Sequence, residues 1–242
     1  VSTTSSTDVE IRRIDAARQA DLLASFAPLH YRAGTPATFA QVLGAFDATS
    51  NQPRCVGVLC VSRPTLNGPW RARAWPDLFG GHAPRSPRDL ARTLNLYVRT
   101  ISRVIVHPSF RGVGVASRLV RTYLDFPLTP LTETLAAMGR VSPLFQCCGM
   151  REVICPRSCR DRRLLRALHV RVLRPLDLVS LNAATLALRA DPSLAHEVLT
   201  WTRASRSTRG REPDAGNHDA VAKLLVLASA GLIARPLVLV TP

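Results

Sequence analysis

Apolar positions alternate with polar ones over residues 8–14, where Val9 and Ile11 share a face, and this period of two predicts a first strand. The spacing then turns helical over 15–27, with Ala16, Leu22, Leu23 and Phe26 inward, until Pro28 ends it. Runs at 36–46 and 54–62 flank a polar turn and predict an antiparallel hairpin. Residues 63–96 carry many of the prolines and two of the three tryptophans, Trp70 and Trp75, and predict a long irregular loop. Ile101, Val104, Ile105 and Val106 form a β-branched run that His107 and Pro108 stop. After Arg111-Gly112-Val113-Gly114-Val115-Ala116, the residues Val115, Leu119, Val120 and Tyr123 recur on one helical face. A strand at 131–136, a brief helix at 137–148 and a strand at 150–155 complete a mixed α/β set.

Beyond Pro156 the pattern is helical throughout. Leu165, Leu168 and Val172, then Leu178, Leu181, Thr185 and Leu188, then Leu194, Val198 and Trp201 after the Asp191-Pro192 start, mark three helices. A polar linker at 205–216 leads to a last helix at 217–230, closed by Gly231. The expected division is a domain over 1–156 and a basic, mainly helical extension over 157–242.

Composition changes this picture in two ways. The 32 basic residues exceed the 17 acidic ones for a formal net charge of +15, and every basic residue except Lys223 is arginine, which favours polyanionic partners such as nucleic acid. Residues 151–174 hold eight arginines against Glu152 and Asp161, and Trp70 and Trp75 stand beside Arg71, Arg73 and Arg85 as a possible stacking surface. The six cysteines lack the paired two-residue gaps of a zinc ribbon, so reduced and mostly buried thiols are expected, with no metal. No apolar run reaches the length of a membrane span and the first residues lack the features of a signal peptide, so a soluble cytoplasmic chain is expected.

The 111–116 loop is the stretch best suited to a ligand. Its glycines let backbone approach closely, and the first helical turn after it offers N–H groups with no intrahelical acceptor, so the ligand should be anionic.

Arg111-x-x-Gly114-x-Ala116 after a strand resembles motif A of the GNAT N-acyltransferases, and 143–150, PLFQCCGM, resembles the closing segment of that family. The resemblance covers about residues 8–155. It implies a GNAT-like mixed, mostly antiparallel sheet flanked by helices, in which a central strand and a splayed neighbour admit the pantetheine arm of acetyl-CoA or another acyl-CoA. It also implies cofactor binding by Val104, Ile105, Val106, Arg111, Gly112, Val113, Gly114, Val115, Ala116 and Phe145.

The implied reaction is acyl transfer to an unidentified amine. Phe145 stands where the family usually places a tyrosine, and a phenyl ring cannot protonate a leaving thiolate. Glu133, in an otherwise apolar or neutral stretch, and the pair His30-Tyr31 are the candidate catalytic groups. The same His30, Tyr31 and Glu133, with Ile101-Ser102-Arg103, also resemble the Mom family of phage DNA-modifying proteins, which would make them iron ligands. A further resemblance is to GNAT-like domains fused to ABC-type ATPases. A GNAT-fold binding module without catalysis is the third alternative.

Overall fold

The computed structural model describes residues 9–30, 38–49, 53–81, 86–204, 210, 213–233 and 235–242. The chain divides into two compact units, one formed by Val1–Cys155 together with Pro236–Pro242 and the other by Pro156–Arg235.

Seven strands build the first unit: β1 (Val9–Arg13), β2 (Gln41–Asp47), β3 (Arg54–Ser62), β4 (Val98–Val106), β5 (Leu131–Ala136), β6 (Arg151–Glu152) and β7 (Leu237–Val240). They form one sheet in the order β1-β2-β3-β4-β5-β7-β6. Every pairing is antiparallel except that of β4 with β5. The architecture is thus a mixed α/β, mostly antiparallel open sheet with helices on its faces.

Strand alternation sends two sets of side chains to opposite faces. Leu43, Ala45, Leu59, Val61, Ile101 and Val106 pack against Val115, Leu119, Val120 and Tyr123 of helix α5 (Val115–Asp125). Val42, Val58, Cys60 and Ile105 pack on the other face against Leu23 and Phe26 of α1 (Ala16–Phe26). Burying side chains such as Leu119 or Leu59 contributes about 1.5–3 kcal/mol each, which fixes the register of the strands that carry them.

Residues 63–96 differ from the expected irregular loop. They contain α2 (Arg71–Ala74), α3 (Pro76–Phe79) and α4 (Pro87–Tyr97). Ser86 caps α4 by accepting from the Asp89 N–H at 3.1 Å, and Pro87 supplies a pre-set first turn. Trp70 and Trp75 are only 8% exposed and pack with Phe79, Leu94, Val98, Val238 and Val240, so they cannot serve as the stacking platform expected of them. Arg85 lies outside the described residues. The helix expected at 137–148 reduces to a short 3-10 turn, Gln146–Cys148, and the strand expected at 150–155 to the two residues of β6.

The second unit holds α6 (Cys159–Val170), a 3-10 turn at Pro175–Val179, α7 (Leu181–Ala190), α8 (Ser193–Arg203) and α9 (His218–Ile233). Its core is made by Leu164, Leu168, Leu178, Ala184, Leu188, Leu194, Val198, Val221 and Leu225. The inward face of α6 runs through Leu164 rather than Val172, which sits just past the helix end at φ 55° and is 90% exposed. The extension does not stay helical to residue 242, because Leu237–Val240 returns to the sheet of the first unit as β7.

No described helix is long and apolar enough to cross a membrane. Cys60 is buried as expected of a core thiol, whereas Cys147 and Cys159 are exposed.

Candidate active site

The parallel pairing of β4 with β5 runs from Val98↔Leu131 to Ile101↔Thr134 and goes no further. Beyond it β4 stays on β3, as far as Gly57↔Val106, while Leu135 and Ala136 of β5 pair with β7. The two strands therefore part at Ile101. A bulge lies at this point: Cys60 opposes Arg103 and Val61 opposes Ile101, leaving Ser102 as the extra residue. The Ser102 hydroxyl holds the bulge by donating to the Cys60 carbonyl at 3.1 Å and by a 2.7 Å hydrogen bond with the Ser62 hydroxyl.

The opening is a cleft of about 520 Å³. Residues Ile101 to Val106 form one wall, and Thr134 to Gly139 with Leu144 and Phe145 form the other. Leu29, His30, Arg111 and Ala116 also line it. Apolar side chains dominate. The charged or titratable ones are His30, Arg103 and Arg111, and no Asp or Glu is among the described lining residues.

The glycine loop sits at one end of this cleft. The Val106 carbonyl accepts from Arg111 Nε at 3.1 Å, and the Leu29 carbonyl accepts from its Nη2 at 3.4 Å, so the guanidinium is anchored beside the mouth. Gly112 at φ 81° and Gly114 at φ 86° take the left-handed conformation that lets the chain turn into α5. A Cβ at either position would meet nothing within 4 Å, so the backbone here faces open space. Gly114 is the N-cap of α5, whose first N–H groups and positive dipole end point toward that space. His107 ends β4 with its N–H donating to the Val56 carbonyl at 2.8 Å, and its Nδ1 accepts from the Ser109 N–H at 3.4 Å.

Val104, Ile105, Val106, Arg111, Ala116 and Phe145 all reach the cleft, and the loop Gly112–Val115 adjoins it; Val115 itself is buried beneath, in the core with Leu119. Phe145 is buried in the wall and offers no proton donor. His30 lines the cleft, whereas Tyr31 lies outside the described residues.

Glu133 does not belong to this site. It is 1% exposed, with Oε1 accepting from Arg71 Nη2 at 2.6 Å and from the Thr100 hydroxyl at 3.0 Å. Its Oε2 accepts from Arg71 Nε at 2.9 Å and from Trp70 Nε1 at 2.7 Å. A carboxylate with both oxygens saturated and a guanidinium against it is a structural anion, so the expectation of a catalytic base at Glu133 is corrected. The same bonds remove it from the iron-ligand set implied by the Mom resemblance. Among the described residues, no three His, Cys, Asp or Glu side chains gather as a metal centre requires.

The residues that sequence reasoning missed are Leu29 and, on the far wall, Thr134 to Gly139, Ser142 and Leu144. Their signal is weak, because only the departure of β5 from β4 turns this segment toward the cleft.

Of the eight arginines between 151 and 174, Arg163, Arg171 and Arg174 are paired with Glu197, Asp191 and Asp177, and Arg160 lies 3.7 Å from Asp161. Four of these eight arginines thus have a carboxylate within 4 Å.

No protein-family model matches the chain, and no curated protein matches it in sequence. Among solved structures, it is similar to a chain of the NatC complex bound to Gag peptide and CoA, at 15% identity and a TM-score of 0.39 over 63% of this chain and 89% of that one. An apo agmatine N-acetyltransferase is similar at 16% identity and a TM-score of 0.38 over 61% and 84%. A KacTA–DNA complex is similar at 14% identity and a TM-score of 0.35 over 61% and 87%. The first unit is the mixed α/β, mostly antiparallel sheet flanked by helices that the sequence resemblance implies, with a parallel pair that parts at a bulge and a glycine turn onto α5.

Proposed function

We propose that the first unit is an acyl-CoA-dependent N-acyltransferase, with acetyl-CoA as the first donor to test. The observation that carries this reading is the junction of two features: the cleft opened where β5 leaves β4, and the glycine turn at the end of that cleft. The turn suits a diphosphate, since open space lies over Gly112 and Gly114, helix N–H groups border it and Arg111 adds a fixed positive charge. The apolar walls suit a narrow arm with few charges. The free edge of β4 beyond Ile101 offers backbone groups to the amides of such an arm, as a missing strand would.

Bound acyl-CoA supplies an activated acyl group. The chain's own share is to orient it along β4, to shield it with Leu144 and Phe145, and to accept a proton from the incoming amine. His30 is the imidazole lining the cleft and takes that last role.

Isothermal calorimetry with CoA tests the reading. Ala116→Glu places a carboxylate in the first turn of α5, where it favours the helix but repels phosphate. Micromolar binding by the native chain and at least ten-fold weaker binding by Ala116→Glu, at unchanged circular dichroism, is the expected result; equal affinity rejects the diphosphate site.

Phe145 favours a second reading, a GNAT-fold module that binds CoA without turnover, because the wall offers no phenol at this position. Binding without release of CoA from any acyl donor would select it.

A further inference from the structure

The cleft has two limbs that start from one point. One runs along β4 from the glycine turn, where Arg111 Nε donates to the Val106 carbonyl, back to Ile101, where the pairing with β5 ends. That run is roughly 15 Å of strand, comparable with an extended pantetheine arm, so a diphosphate on the turn brings its thioester to the place where the strands part. The other limb follows β5 away from that place. Leu135 and Ala136 pair with β7, and the chain then doubles back. The Gly139 N–H donates to the Ala136 carbonyl at 3.1 Å, and the Val141 and Ser142 N–H groups donate to the Met138 carbonyl at 2.9 and 2.8 Å. These bonds fix the backbone that carries Met138.

The second limb is apolar and uncovered. Leu135 is 40% exposed and Met138 52%, although both line the cleft. No lining residue between 134 and 145 is charged. The hydroxyls of this wall are Thr134, which donates to the Ile101 carbonyl at 2.9 Å, and Ser142. Such a wall offers little to a protonated amine or to an anion, and it gains from an apolar group laid on it. An acetyl group ends after one methyl. A longer acyl chain, tethered by the thioester at the origin of both limbs, reaches Leu135 and Met138 without a separate binding event, and the flexible thioether adapts to it.

We propose, resting on the acyltransferase reading, that the donor is a medium-chain acyl-CoA, with Leu135 and Met138 as the residues that select the chain. In the transfer the amine nitrogen forms a bond to the thioester carbonyl carbon and the carbon–sulfur bond breaks. The amine gives up one proton, the leaving thiolate gains one, and the products are an amide that carries the whole chain and free CoA.

Calorimetry with the full chain measures the affinities of CoA and of acetyl-, butyryl-, hexanoyl- and octanoyl-CoA, each below its micellar concentration. Affinity should rise by up to about four-fold for each methylene laid on the wall, which makes octanoyl-CoA about ten-fold or more tighter than acetyl-CoA. Met138→Gln and Leu135→Gln, both at exposed positions, should each reduce this gain, measured against CoA binding to the same variant, and the double variant should abolish it. Met138→Leu should keep most of it. Octanoyl-CoA that binds no more tightly than acetyl-CoA would overturn the proposal and leave the acyltransferase reading standing. So would a chain-length gain that survives the double variant, since it would report adsorption elsewhere. Failure of CoA and of every thioester to bind would instead reject the reading, and the proposal with it.

Discussion

Arg71 and Glu133 form a two-pronged ion pair at 2.9 and 2.6 Å with both side chains almost wholly buried, 62 residues apart in sequence. The pair ties α2 to β5, and Trp70 and Thr100 complete the acceptor demand of the carboxylate. The Thr65 carbonyl takes another Arg71 donor at 2.6 Å, so the guanidinium also fixes the segment leading into α2.

Removing one partner leaves a charge in the interior. Arg71→Met or Glu133→Leu should therefore destabilise the protein by about 3–5 kcal/mol. The double variant should cost clearly less than the two single losses added together, because no unpaired ion remains. Urea unfolding of the four chains measures this coupling; additive losses would show that the pair is not the unit that matters.

Gly114→Ala tests the loop. The left-handed conformation at φ 86° costs a residue with a side chain about 1–2 kcal/mol, although the methyl group meets no neighbour. Thermal melting should register that loss. CoA affinity should fall as well, since the added carbon occupies the space assigned to phosphate, and unchanged affinity would place the phosphate elsewhere.

Thiol chemistry separates the cysteines. Burial pushes the Cys60 and Cys55 thiols up from their ordinary range, and does the same to Cys148. Cys147 and Cys159 are exposed. At pH 7.5, by mass spectrometry of iodoacetamide-treated protein, Cys147 and Cys159 should be labelled first and Cys60 only after unfolding.

Acid should weaken the second unit. The hydrogen bond from Arg163 holds the Glu197 carboxyl below its usual range; Ser193 and then Arg171 do this for Asp191, and Arg174 for Asp177. A depressed carboxylate stabilises the fold fully above its unfolded value and loses that contribution as pH falls through the folded one. Melting temperature should stay level from pH 8 to 6 and drop once the pH passes below the ordinary carboxylate range. High salt should shrink the difference, because these pairs are largely exposed.

Phe145→Tyr probes the protonation of the leaving group. A phenol at this point in the wall should raise kcat by up to about 10²-fold with little change in the KM for acetyl-CoA, as expected of a general acid acting only in the reaction step.

The strand–glycine–helix unit around 101–124 was legible because local rules dictate all of it: β-branched residues, a proline stop, glycines where φ is positive and a helical apolar face. The hairpin was legible for the same reason. Trp70 and Trp75 were misread because an indole beside arginines has the same local pattern whether it faces solvent or a distant strand. Their burial depends on Val238 and Val240, which lie more than 160 residues away. Glu133 failed similarly, since a lone acid in an apolar strand gives no hint of Arg71. Leu237–Val240 escaped notice because four apolar residues after a helix match either structure, and only its place between β5 and β6 decides.

That place of β7 sets the order in which the molecule can be completed during synthesis. Residues 156–235 emerge before Leu237–Val240 and can pack around their own core while β5 still lacks its antiparallel neighbour. Until β7 arrives, the backbone groups of Glu133–Ala136 on that side, and the indole-lined core that includes Val238 and Val240, stay unsealed. The second unit is thus an insertion within the chain of the first, and β5, which carries part of the cleft wall, gains its antiparallel neighbour only when β7 pairs, across one of the longest sequence separations among the described strands.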